Sequence, residues 1–245
     1  MDSITKAKRL IQKSMHKFCW DIHQFNLNSN PSLQISKALD YFNIDIIFDI
    51  GANTGQFSSE LRTFSYKGGI VSFEPLSNAY LALTKNSTHD PDWKVHPRTA
   101  IGDLDGEITI NISGNSQSSS VLPILEAHTS AAIDSTYIGS EKVAISRLDT
   151  ISPTYLSSSS RLFIKIDTQG FEWNVLNGAE ETLKHAQGIL CELSLVPLYE
   201  GQRLWLDIIH RLEGEGFTLW SVDQGFIDYG NGRTLQIDAI FFRLS

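Results

Sequence analysis

The segment Asp45-Ile46-Ile47-Phe48-Asp49-Ile50 runs directly into Gly51-Ala52-Asn53-Thr54-Gly55, and a helical pattern follows from about residue 56. The apolar run is continuous rather than alternating, which is how a strand buried on both faces reads. Such a strand belongs in a parallel sheet covered by helices. A Gly-rich strand-to-helix turn is where doubly wound sheets bind nucleotides. Glycines let the backbone turn tightly and let a ligand come close. The helix N-terminus adds unpaired N–H groups and a partial positive charge. The turn lacks the Lys-Ser/Thr ending of a triphosphate-binding loop, and Asn53 stands where the full G-x-G-x-x-G spacing would have glycine.

From this turn onward strands and helices alternate. Strands are predicted near 45–50, 69–73, 94–101, 162–167, 189–195 and 217–222, and helices near 56–65, 76–86, 171–184 and 202–213. That alternation is an α/β fold with helices on both faces of a mostly parallel sheet. Residues 107–112 alternate and read as an extra strand, with another near 142–148, and the polar stretch 113–141 between them reads as a long loop. The last strand, near 235–243, follows 217–222 through a short segment holding Gly225, Gly230 and Gly232. That segment is too short for a crossover helix, so the last strand is predicted to run antiparallel.

The candidate site residues sit at predicted strand ends. Glu74-Pro75 closes the second strand, about 20 residues after the Gly turn, where an acid accepts hydrogen bonds from both ribose hydroxyls. Pro75 fixes the turn into the next helix. This fits a bound adenosine without separating NAD from S-adenosylmethionine. The third strand ends at Ile101-Gly102-Asp103, where backbone groups and the Asp103 carboxylate face an exocyclic amine or simply form a β-turn. The fourth carries Lys165-Ile166-Asp167-Thr168-Gln169-Gly170-Phe171-Glu172, and the fifth Cys191-Glu192-Leu193. A charge inside an apolar strand needs a partner or a task. Lys165 reads as a structural ion-pair partner, and Glu172 suits the start of a helix. Asp167 and Glu192 are the candidate catalytic acids, side by side over one pocket. The seven histidines show no ligand spacing, and no metal is expected.

Taken together, the motifs resemble the FkbM-type methyltransferases, a branch of the S-adenosylmethionine-dependent methyltransferases. The resemblance runs from about residue 45 to the end. It rests on Phe48 to Gly55, Phe73-Glu74-Pro75, Ala100 to Asp103 with Gly106, Ser118 to Leu122, Arg147-Leu148-Asp149, Lys165 to Glu172, Val175 to Ala179 and Gln236 to Phe241. It implies a Rossmann-like seven-stranded sheet with a reversed last strand. It also implies a cofactor-binding set of Asp49, Gly51, Ala52, Asn53, Thr54, Glu74, Pro75, Ile101, Gly102 and Asp103. Asp49 and Gly51 would lie at the methionine side, Glu74 at the ribose and Asp103 at the adenine. Asn53 in the glycine turn is usual in this branch. The implied activity is O-methylation of a sugar hydroxyl in a glycan, glycolipid or natural product. Two alternatives stand beside it: an NAD(P)-dependent oxidoreductase on a related sheet, and a non-catalytic binding module that kept the fold.

The 245 residues suffice for one large domain with an appendage, and one core of that size needs no disulfide or structural metal. Cys19 and Cys191 are expected to be unpaired, buried thiols. The net charge of −8 argues against a nucleic-acid partner. Residues 1–20 alone carry +4, so the rest carries −12. The division expected is an N-terminal amphipathic helix and linker over 1–31 and a methyltransferase domain over 32–245. Ile4, Ile11, Met15 and Phe18 share one face of the helix, opposite Lys6, Arg9, Lys13 and Lys17. That apolar face is expected to pack on the domain, to form a homodimer, or to rest on an anionic membrane surface. With no secretory or spanning segment, the expected location is cytoplasmic, with peripheral contact at the inner membrane face.

Overall fold

The structure is a computed structural model that describes residues 3–20, 22 and 24–244. Helices α1 (Ser3–His16) and α2 (Pro31–Tyr41) precede β1 (Ile46–Ile50). Asn30 caps α2, its side-chain oxygen accepting from the Leu33 N–H at 2.7 Å, and Pro31 at the first turn needs no donor. Then come α3 (Gln56–Thr63), β2 (Gly69–Phe73), α4 (Ser77–Ser87) and β3 (Trp93–Val95). A small sheet interrupts the alternation: β4 (Ala100–Gly102), β5 (Gly106–Ser113) and, after α5 (Glu126–Ala131), β6 (Tyr137–Arg147). The chain resumes with α6 (Leu148–Ile151), β7 (Leu162–Ile166), α7 (Glu172–Asn177), α8 (Glu180–His185), β8 (Ala186–Ser194), α9 (Trp205–Gly214) and β9 (Thr218–Gln224). A short hairpin, β10 (Ile227–Asp228) and β11 (Arg233–Thr234), leads to β12 (Gln236–Phe242).

The seven strands of the main sheet lie in the order β3-β2-β1-β7-β8-β12-β9. Only β12 is reversed, pairing antiparallel with both β8 and β9. As the continuous apolar runs predict, both faces are covered. Phe48, Ile50, Ile164 and Ile166 pack with Val175, Leu183, Ile208 and Leu212 on one face. Ile47, Ile70, Phe163 and Leu190 pack with Leu39, Leu61 and Leu83 on the other. The chain winds outward from β1 to β3, then returns to start again at β7. The crevice between the C-terminal ends of β1 and β7 is therefore the switch point where ligands bind in such sheets.

The structure corrects four expectations. The strand predicted at 94–101 is two strands in different sheets: β3 joins the main sheet and β4 pairs with β6. Pro97 between them has no N–H to continue a ladder. The helix predicted over 171–184 breaks at Gly178, where a Cβ would lie 1.8 Å from the Gly102 carbonyl oxygen. The chain restarts as α8, whose first turn is capped from a distance by Asp149, accepting from Thr182 N at 2.7 Å and Glu181 N at 3.1 Å. The stretch 113–141 holds α5, two 3-10 turns and the start of β6 rather than an open loop. Cys19 is exposed, while Cys191 is buried and both are free.

At the N-terminus, Leu10 is 70% and Ile11 56% exposed, and Phe18 and Trp20 are also open to solvent. On the predicted apolar face, Ile11 and Phe18 are thus exposed and Met15 is half-buried. The side chains of Ile4 and Lys6 lie outside the described residues. Among the described residues, no helix is long and apolar enough to cross a membrane.

Candidate active site

The turn after β1 is built on left-handed backbone, with φ of +73° at Gly51, +48° at Asn53 and +89° at Gly55. A Cβ at Gly51 would stand 1.8 Å from the Asp167 carbonyl oxygen, so glycine is what lets β1 and β7 close together. The Gly51 and Ala52 N–H groups both donate to the Phe73 carbonyl at 3.1 Å, tying the turn to the end of β2. Asn53 tolerates its left-handed conformation as asparagine does more readily than most residues. Its side-chain oxygen accepts from the Thr54 N–H at 2.8 Å. Its own N–H donates to Glu74 Oε2 at 2.8 Å.

Glu74 accepts a second hydrogen bond from the Leu76 N–H, at Oε1 and 2.8 Å. It is buried, and burial raises its pKa to about 7 against the opposing effect of the two backbone donors. Beneath the turn, Asp49 is fully buried and accepts from the Ser58 hydroxyl at 2.8 Å. Its other oxygen faces Lys165 Nζ at 3.4 Å. The same ammonium lies 3.2 Å from Asp167 Oδ2 and donates to the Gly51 carbonyl at 3.0 Å. Burial disfavours the Lys165 charge, but the Asp167 and Asp49 carboxylates more than offset it and raise its pKa. Lys165 is thus the predicted structural ion-pair partner, and it also fixes the turn to β7.

Above Lys165, Gln169 bridges the two predicted catalytic acids. Its Nε2 donates to Asp167 Oδ1 at 3.0 Å and to Glu192 Oε2 at 2.7 Å. Gln169 itself is held at φ +55°. The Ser120 hydroxyl donates to its carbonyl at 2.6 Å, and the Tyr199 hydroxyl to its Oε1 at 2.8 Å. Glu192 Oε2 also accepts from Gln236 Nε2 at 2.7 Å. Its Oε1 has no donor among the described residues. Burial and then the neighbouring Asp167 and Asp238 carboxylates hold the Glu192 pKa well above the ordinary range. In Asp238, burial and then the Asp167 and Asp223 carboxylates raise the pKa to about 6, against the opposing Lys165 charge.

Glu172 secures this loop from below. Its Oε1 accepts from Thr168 N at 3.0 Å, Gly170 N at 3.1 Å and Thr168 Oγ1 at 3.2 Å. Burial raises its pKa from 4.5 to about 7. A carboxyl that holds its proton more tightly when folded stabilises the fold below pH 4.5, and that contribution is lost as pH rises through 7. Glu172→Gln keeps the acceptor oxygen without the titration. It is expected to flatten the decline in urea stability between pH 4.5 and pH 7 by up to a few kcal/mol. An unchanged slope would assign the titration elsewhere.

These groups open on one cavity of about 680 Å³, within the usual range of about 300–1,000 Å³ for ligand pockets. Of the predicted residues, Gly51, Ala52, Asn53, Glu74, Pro75, Ile101, Asp167 and Glu192 line it. Asp49 lies underneath. Thr54, Gly102 and Asp103 are off the lining, and Asp103 Oδ2 accepts from Asn174 Nδ2 at 2.8 Å. Gln236 and Asp238, which the sequence placed in a motif without a role, and Asp223, Phe226 and His128, which it did not mark, also line the cavity. Asp238 carries the signal used for Asp167 and Glu192, a charge in an apolar strand. The others become site residues only through strand register and the path of the small sheet. Among the described residues, no group of three or more His, Cys, Asp and Glu side chains is placed to hold a metal ion.

A sequence model of the methyltransferase FkbM domain matches residues 49–219, more than two thirds of the chain. The chain belongs to the FkbM methyltransferase family. No curated protein matches the chain. Among solved structures, this FkbM-family chain is similar to a Klebsiella pneumoniae protein described as a candidate O-methyltransferase, at 10% identity and a TM-score of 0.51. That match covers 100% of this chain and 91% of the other. It is also similar to a Geobacter metallireducens precorrin-6y C5,15-methyltransferase, at 12% identity and a TM-score of 0.41, covering 87% of each chain. The first likeness supports the Rossmann-like methyltransferase fold. Family membership makes the chain a methyltransferase and implies a cofactor of the S-adenosylmethionine type. The crevice fits such a group: a glycine turn that leaves the backbone open, and a strand-end carboxyl with lone pairs to spare.

Proposed function

We propose that the chain is an S-adenosylmethionine-dependent O-methyltransferase acting on a hydroxyl of a sugar in a glycan, glycolipid or natural product. The observation that carries this reading is Glu192, a carboxyl with raised pKa and one unpartnered oxygen, opening on the cavity that begins at the glycine turn. When bound, the cofactor supplies a methyl group on a sulfonium, which an acceptor oxygen takes as S-adenosylhomocysteine is released.

The chain's own residues hold and align the reactants. Gly51, Ala52 and Asn53 would give the methionine end close access to the backbone, and Glu74 would accept from the ribose hydroxyls. Pro75 and Ile101 form the wall beyond it, where the adenine would pack. Asp103, one oxygen of which accepts from Asn174, would lie at the adenine end. Alignment of two reactants is worth roughly 7–11 kcal/mol at its best. A sugar hydroxyl is a weak nucleophile, so its proton must leave as the new bond forms. Glu192 Oε1 takes that proton. Gln169 and Gln236 fix the carboxyl through Oε2, so its rotation is stopped without using the reacting oxygen. Asp167, tied to Lys165 and Gln169, positions the pair rather than serving as base.

Calorimetry is expected to give binding of S-adenosylhomocysteine and none of NAD. The reverse result would favour the oxidoreductase, and binding of neither would favour a non-catalytic module. Glu74→Ala is expected to weaken S-adenosylhomocysteine about 10- to 100-fold, as hydrogen bonds to a charged group would. Radiolabelled methyl transfer into a panel of glycans tests the acceptor class.

A further inference from the structure

Four carboxylates form a row across the C-terminal side of the sheet. Asp167 stands beside Glu192 by the β7–β8 register, Glu192 is paired with Asp238, and Asp238 with Asp223. All four line the cavity. Residues directly opposite on paired strands have Cβ atoms about 4.5–5.5 Å apart, and like charges there are destabilising. Lys165 is engaged with Asp49 and Asp167. Among the described residues, no cation lies within ion-pair distance of Glu192, Asp238 or Asp223. The fold thus compensates Asp167 through Lys165 and holds Glu192 through Gln169 and Gln236, and leaves Asp238 and Asp223 without a cation among the described residues.

A second observation lies in the same cavity. His128 is 2% exposed, lines the cavity, and its Nδ1 has no hydrogen-bond partner. Its ring stands 5.0 Å from that of Phe226, which lines the cavity as well. Burial lowers the His128 pKa to about 4, so the imidazole is neutral near pH 7 and adds no positive charge. Carboxylates, an aromatic face and a neutral imidazole that can accept a hydrogen bond are the chemistry that recognises an ammonium group. The cofactor's own ammonium does not meet this need. Strands are spaced about 4.8 Å apart, so Asp223 lies three strands and roughly 14 Å beyond Asp167. The glycine turn lies on the far side of Asp167, at the end of β1.

We infer that the acceptor carries a protonated amine near its reacting hydroxyl, and that Asp238 and Asp223 bind that amine at the end of the cavity lined by His128 and Phe226. The inference rests on the O-methyltransferase reading and names its acceptor class: an amine-bearing polyhydroxyl compound rather than a neutral or anionic one. Carboxylate and phosphate groups are repelled by the same row.

The test uses the full chain saturated with S-adenosylhomocysteine, whose binding is measured first. Saturation-transfer NMR at pH 6.5 then compares glucosamine with N-acetylglucosamine, and a glucosamine tetramer with its fully N-acetylated form. The free amines are expected to bind at least tenfold tighter. Asp223→Asn and Asp238→Asn are expected to cut that preference below twofold, with S-adenosylhomocysteine binding reporting that each variant is folded. Equal binding within a pair, tighter binding of the acetylated member, or no binding of either amine to the loaded protein would overturn the inference. A preference that survives both substitutions would overturn the assignment of the two residues. Failure of the native chain to bind S-adenosylhomocysteine would instead defeat the cofactor reading beneath it.

Discussion

Gly51→Ala is expected to destabilise the fold by about 2–5 kcal/mol and to abolish cofactor binding. Two costs combine there. An L side chain at φ +73° is strained by about 1–2 kcal/mol. The added methyl would also meet the Asp167 carbonyl oxygen at 1.8 Å, and overpacking of this kind costs about 1–3 kcal/mol. The clash is with backbone, not with the end of a flexible side chain, so relief requires β1 and β7 to part at the crevice itself. Separation there would also stretch the Lys165 contacts to Gly51 and Asp167. Urea denaturation reads the stability and calorimetry with S-adenosylhomocysteine reads the site. Gly139→Ala is the control: no atom lies near its added methyl and its φ is not positive, so its midpoint should barely move. Equal behaviour of the two variants would remove the steric account of the turn.

The same turn explains why so much of the architecture was legible in the sequence. A continuous apolar strand running into glycines constrains sheet type, connection and site at once. The reversed β12 followed from the shortness of the link before it. Features that depend on contacts distant in sequence were harder to read. Pro97 splits a strand by removing one donor, but only pairing shows that its halves join different sheets. Asp103 sits at the right strand end, but that Asn174 of α7 donates to one of its oxygens could not be read from the sequence. The acid row needed the register of β12 against β8 and β9 before Asp238 and Asp223 could be placed beside Glu192. Gln169 was visible within its motif, but its bridging role depends on a left-handed backbone that no local pattern announces.

The choice of base is the point at which these distant contacts matter most. Glu192→Gln is expected to lower kcat about 10²- to 10⁴-fold, the usual worth of a positioned base, with little change in S-adenosylhomocysteine affinity. The amide keeps the shape of the carboxyl but cannot take a proton. Asp167→Asn is expected to act differently. Its carboxylate is bound to Lys165 and Gln169, so its loss should weaken cofactor binding more than it slows the bound complex. The pH profile gives an independent check. Glu192 acts only when deprotonated, and its pKa is raised by burial and by the Asp167 and Asp238 carboxylates. Activity should therefore rise with pH through an inflection above the ordinary glutamate value of about 4.3. Asp238→Asn removes one of those carboxylates, so the inflection should move to lower pH. A Glu192→Gln enzyme within threefold of native kcat, or an inflection indifferent to Asp238→Asn, would transfer the proton to another group. A structural role alone would not shift that inflection, because packing carries no dependence on the charge of Asp238.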